Sequence, residues 1–110
     1  MELIAGYVSY VKDVRRYSPR TVNIYADSLE RFRAFMDADS DEVLLKSLTP
    51  QMIRTYEVHL LDACRESART VNLHLSVLSG FCRYLLRQGK LESNPARLVG
   101  KPKQEKRLPE

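Results

Sequence analysis

With 110 residues, 44% of them apolar, the chain is long enough for one domain with a modest core and short for an enzyme with a deep active site. Its net charge of +4 is unevenly placed: residues 1–66 hold nine Lys/Arg against eleven Asp/Glu, while residues 67–110 hold nine against three. A basic second half points to a polyanionic partner and away from a membrane protein, since no apolar run approaches the length of a transmembrane helix. Glu2, with no basic flank ahead of an apolar stretch, argues against a secretory signal. Cys64 and Cys82 form no disulfide framework, which fits a reducing, cytoplasmic setting.

The spacing of Leu3, Ile4, Tyr7, Val8, Val11 and Val14 predicts a first helix over residues 2–16. Ser18 as N-cap and Pro19 at the first helical position open a second helix, running to about Asp37 with Val22, Tyr25, Leu29, Phe32 and Met36 on one face. Residues 38–48 read as a loop, acidic and then apolar. Thr49-Pro50 repeats the cap-plus-proline start, and a third helix carries Met52, Ile53, Tyr56, Leu60 and Cys64. The fourth runs from Ser67 to near Gln88, ahead of Gly89 as a helix stop. Asn94-Pro95 caps a short fifth turn over 96–99. Residues 100–110 hold too little apolar surface to bury and read as a flexible linker. The expected fold is all-α: a four-helix bundle, with a domain over 1–99 and a tail over 100–110.

One phrase is written twice. Ser18-Pro19-Arg20-Thr21-Val22-Asn23 returns 49 positions later as Ser67-Ala68-Arg69-Thr70-Val71-Asn72. Helix N-termini favour acidic side chains, because the helix dipole leaves partial positive charge there. Both first turns carry arginine instead, at a cost of about 0.3–1 kcal/mol each. Unpaired N–H groups, hydroxyls and a guanidinium together suit an external anion. In the fourth helix, Val71, Leu75, Leu78, Cys82 and Leu85 form an apolar stripe. Arg69, Asn72, Ser76, Ser79, Gly80, Arg83 and Arg87 lie opposite, and no acidic residue occurs from Ser67 to Lys90. The outer face of the second helix is less uniform, with Arg20, Asn23 and Arg31 beside Asp27. The candidate residues for binding a nucleic-acid backbone are therefore Ser18, Arg20, Thr21, Asn23, Ser67, Arg69, Thr70, Asn72, Ser76, Arg83 and Arg87, with Lys101, Lys103, Lys106 and Arg107 in the tail. His59 and His74 lack metal-ligand spacing, the cysteines read as buried apolar groups, and the six tyrosines sit mostly on apolar stripes. There is no Gly-rich phosphate loop, nucleophile elbow or paired-carboxylate motif.

These motifs resemble the N-terminal core-binding, SAM-like domain of tyrosine recombinases of the phage-integrase family, Xer type. The resemblance rests on Ser18-x-x-Thr21-x-x-x-Tyr25-x-x-x-Leu29-x-x-Phe32 and Leu48-Thr49-Pro50-x-x-Ile53. It continues through Ser67-x-x-Thr70-x-Asn72-x-x-Leu75-x-x-Leu78-x-x-Phe81-x-x-Tyr84-Leu85 and Asn94-Pro95-Ala96. It implies a domain that clamps duplex DNA opposite a separate catalytic domain, with the second and fourth helices near the major groove. It also implies other recombinase subunits as partners on DNA and no cofactor, metal, membrane or small-molecule ligand. The catalytic arginines, lysine, histidines and tyrosine belong to the absent domain, so this chain is expected to be non-catalytic. The closing Lys101-Pro102-Lys103 to Lys106-Arg107-Leu108-Pro109 looks like the family's interdomain linker. Two other readings stand beside it. One is a basic helical module for an acidic protein partner. The other is a helix-turn-helix regulator, disfavoured because the third-to-fourth helix connection lacks glycine.

Overall fold

The computed structural model describes residues 2–99 and is all-helical over them. Five α-helices follow in order: α1 (Glu2–Asp13), α2 (Pro19–Phe35), α3 (Asp41–Lys46), α4 (Pro50–Val58) and α5 (Ala68–Arg87). A π-helical turn, His59–Ala63, extends α4, and a 3-10 helix, Pro95–Leu98, closes the described chain. The two copies of the repeated phrase fold alike. Ser18 (φ −66°, ψ 157°) and Ser67 (φ −69°, ψ 158°) are both N-caps. Each Ser Oγ accepts from the Thr N–H three residues on, at 3.2 Å, and donates to that threonine's hydroxyl.

Helix ends depart from the expectation for identifiable reasons. α1 stops at Asp13, three residues early, because Arg16 takes a left-handed conformation (φ 59°) and Tyr17 N–H turns back to the Val11 carbonyl. α2 ends in the same way around Asp37 (φ 54°), with Ala38 N–H on the Arg33 carbonyl. Gly89 (φ +77°) ends α5 as expected. The loop expected over 38–48 instead holds α3. Ser40 caps it through Val43 N–H, Asp41 and Glu42 lie in its first turn and Lys46 in its last, which complements the dipole at both ends.

The core gathers Tyr7 and Val11 of α1, Leu29 and Phe32 of α2, Leu44 of α3, and Ile53 and Tyr56 of α4 against the apolar stripe of α5. All five predicted stripe residues of α5 are buried, joined by Val77, Phe81 and His74. α1 packs on both α2 and α5, and the 3-10 helix packs on α4 and α5. The Asn94 amide donates to the Ser79 carbonyl of α5 at 3.3 Å, pinning that segment in place. Three partnerships fix the relative direction of α2 and α5. Arg31 pairs with Glu66, Ser28 bonds His74, and Tyr25 shares a cavity with Gly80 and Arg83. Positions ascend along one helix as they descend along the other, so the two are antiparallel.

One reading needs correction. Cys64 is exposed, not buried; only Cys82 lies in the core, where burial pushes its thiol up to about 12. The π turn and Arg65, again left-handed (φ 54°), carry the chain outward at Cys64. Gly80 is a point of close approach between α1 and α5. A Cβ there would lie 2.5 Å from the Tyr7 hydroxyl oxygen, so the glycine exists to let α1 approach α5.

Candidate nucleic-acid interface

The antiparallel pairing separates the two repeated caps. Glu66, next to the α5 cap, lies against Arg31, thirteen residues beyond Ser18. At 1.5 Å per residue the caps stand about 20 Å apart along the pair. They are therefore two separate N-termini, one at each end. Ser18 and Ser67 are exposed, Thr21 and Thr70 half-buried, and Arg20 and Arg69 exposed at the second helical position. The serine hydroxyls spend both a proton and a lone pair on the cap, which leaves each threonine proton available for an outside acceptor.

Along α5, Arg69, Ser76, Arg83 and Arg87 are exposed on one stripe, while Asn72 is half-buried at its edge. No ion pair among the described residues engages Arg15, Arg83 or Arg87, although Arg87 donates to the Tyr10 hydroxyl at 3.2 Å. Asn23 is exposed but stands apart from this stripe, where Lys12, Tyr17, Pro19, Val22 and Asn23 line a shallow recess on the α1 side of α2. Arg31, read from sequence as part of the outer face of α2, is turned onto Glu66 instead. Lys101, Lys103, Lys106 and Arg107 lie outside the described residues.

Arg31 belongs to a polar cluster the sequence did not disclose. Ser28 Oγ lies 2.8 Å from His74 Nδ1; the hydroxyl donates there when Nε2 carries the imidazole proton towards Glu66 Oε1, 3.5 Å away. Arg31 pairs with Glu66, which raises its own pKa, and its Nη1 lies 3.4 Å from His74 Nε2, near enough for a hydrogen bond only in the other imidazole tautomer. Burial holds the His74 imidazole below its ordinary range, so it is neutral at pH 7. The cluster locks the start of α5 to the middle of α2. No pattern over a single helix announces it, because Ser28 and His74 are 46 positions apart.

At the other end of the pair, five of the six tyrosines gather. Tyr7 stacks against Tyr10 and Tyr25, Tyr84 meets Tyr7 and Tyr10, and Tyr17 meets Tyr25 edge-on. The sixth, Tyr56, packs with Phe32 and Phe35, and burial pushes its hydroxyl up to about 12. Among the described residues, no group of three His, Cys, Asp or Glu is placed to hold a metal, and no helix is long and apolar enough to cross a membrane.

The family described as phage integrase, N-terminal SAM-like domain, matches residues 4–89. Tyrosine recombinase XerC of Pelobacter propionicus is 33% identical over 110 residues, covering 99% of this chain and 36% of the relative. The XerC proteins of Bacillus subtilis (33% identity, 94% of this chain, 33% of the relative) and Lacticaseibacillus casei (32%, 100% and 37%) are similar at the same level. The chain thus spans about a third of the length of the curated relatives it matches. No solved structure matches it significantly. An all-helical fold, the duplicated capped helix starts and a family match over most of its length agree: the chain belongs to the phage-integrase N-terminal SAM-like domain family.

Proposed function

We propose that this chain is the DNA-binding part of a site-specific tyrosine recombinase. In this reading it clamps one side of duplex DNA while a catalytic domain elsewhere in the parent protein breaks and rejoins strands through a phosphotyrosine. Residues 1–99 form the binding domain, and 100–110 lead towards the catalytic one. The parent acts in the bacterial cytoplasm, with other recombinase subunits on the same DNA. The observation that carries the reading is the acid-free stripe of α5, where Arg69, Arg83 and Arg87 stand exposed without described carboxylate partners. Two capped N-termini about 20 Å apart exceed the width of the major groove, about 12 Å. The caps then meet phosphates on the two flanking strands while Ser76 and its neighbours face the groove.

A salt titration with duplex DNA tests the proposal. Affinity should fall steeply with salt, and Arg69→Ala should lower the slope by about one. The chain alone should neither nick supercoiled DNA nor form a covalent protein–DNA adduct. DNA affinity that ignores both salt and Arg69→Ala would favour the alternative module for an acidic protein partner.

A further inference from the structure

A cavity of about 60 Å³ opens where the end of α1, the α1–α2 turn, α2 and α5 meet. Its wall holds Arg15, Arg83 and Arg87 and the rings of Tyr10, Tyr17 and Tyr25, and no acidic residue. The space exceeds what one water needs, about 10–15 Å³, and suits one small oxyanion. Arg15 lies over the Tyr17 ring at 5.5 Å, and Arg87 is held by the Tyr10 hydroxyl. The Tyr17 and Tyr25 hydroxyls are themselves hydrogen-bonded. Three guanidiniums lining one recess with no carboxylate disfavour a cation there and favour an anion. The Tyr17 ring and the Tyr10 hydroxyl place Arg15 and Arg87 in advance, which limits the ordering cost of binding. Burial raises the pKa of both Tyr7 and Tyr25, so these phenols stay protonated as neutral donors rather than competing anions.

We infer that this tyrosine-lined pocket is a phosphate-binding site that takes a single backbone phosphodiester of the duplex, gripped by Arg15, Arg83 and Arg87. The inference rests on the DNA reading above and adds to it Arg15 and the tyrosines, which lie outside the α5 stripe. The pocket holds the α2 N-terminal end of the domain on one strand. Its phosphate is captured in a recess, whereas those at the caps are met at the surface.

The test measures affinity of the 110-residue chain for a random-sequence duplex across salt concentrations, with urea unfolding of every variant. Arg15→Gln and Arg83→Gln should each weaken binding about threefold to tenfold and lower the salt slope by about one. Tyr25→Phe should weaken binding about threefold with the slope unchanged, since it removes a hydroxyl and no charge. Arg54→Gln, the same charge change on exposed α4, should do neither. The three arginine variants should unfold at the wild-type urea midpoint and Tyr25→Phe slightly below it, since it gives up the hydroxyl bond with Tyr17. If Arg69→Ala loses affinity while Arg15→Gln and Arg83→Gln match Arg54→Gln, the DNA reading stands and the pocket assignment is overturned. Saturable, Arg83-dependent binding of inorganic phosphate that duplex DNA does not displace would give the pocket to a free oxyanion and also overturn it. Unchanged affinity in all of these variants, Arg69→Ala included, would remove both.

Discussion

The two ends of the α2–α5 pair use arginine in opposite ways. At the end where α5 begins, Arg31 is bound to Glu66 beside the His74 ring, and its charge is spent inside the protein. At the end where α2 begins, Arg15, Arg83 and Arg87 surround a recess with no carboxylate. At the first end a neutralised arginine holds the helices together, although Arg69 stays exposed beside it; at the second, all three arginines are left electrically incomplete. The contrast shows why a count of basic residues says little about binding. What matters is whether the fold supplies each cation with its own anion.

The largest test of that contrast is Glu66→Ala. It leaves Arg31 and His74 without their acceptor, and urea unfolding should report a loss of about 2 kcal/mol. The cost of breaking a fully buried pair is about 3–5 kcal/mol, but the Arg31 side chain is 39% exposed and keeps some water. Arg83→Gln at the other end should change stability by less than about 0.5 kcal/mol.

Next in size is Gly80→Ala, which pushes a methyl into the Tyr7 hydroxyl. Overpacking costs about 1–3 kcal/mol, offset by about 1 kcal/mol of better helix propensity. The net should be a loss of about 1 kcal/mol in urea unfolding. The caps sharpen the comparison differently. Ser18→Ala and Ser67→Ala remove the same hydrogen bonds, so each should cost about 1 kcal/mol. Equal losses in urea would show that the caps are locally equivalent despite their different surroundings.

The smallest effect is a pH dependence confined to the neutralised end. The unfolded chain protonates His74 near pH 6.5, whereas the folded chain resists until lower pH because burial depresses the imidazole. Its contribution is complete above about pH 6.5 and is lost as pH falls through the depressed folded value. Ser28, Arg31 and Glu66 face this ring, and Glu66 opposes the shift without reversing it. Thermal unfolding between pH 7.5 and 5.5 should show His74→Gln with a flatter profile than wild type.

Much of this was legible in the sequence because it is local. Cap, proline and stripe act within a turn or two, so Ser18, Ser67, Gly89 and the buried face of α5 could be read directly. Ser40, Asp41, Glu42 and Lys46 carry the signals of α3, but six residues hold too short a period to set it apart from a loop. The family resemblance fixed fold and class together, and the family match supports it. The arginine–tyrosine recess and the Ser28–His74–Glu66 cluster were not legible. Each joins residues from separate elements, and only the antiparallel packing brings them together. Cys64 departs from its expected burial because a π-helical turn shifts the helical phase just before it.

Two antiparallel helices that begin with the same capped phrase carry an approximate local dyad between them. The strands of a duplex run in opposite directions and are related by the same kind of axis. On the DNA reading, the paired caps alone would seat equally well after a half-turn of the protein about that axis. They would provide grip without polarity. Direction must then come from whatever breaks the dyad, and the arginine–tyrosine recess does so, since its counterpart at the opposite end is already closed by Glu66.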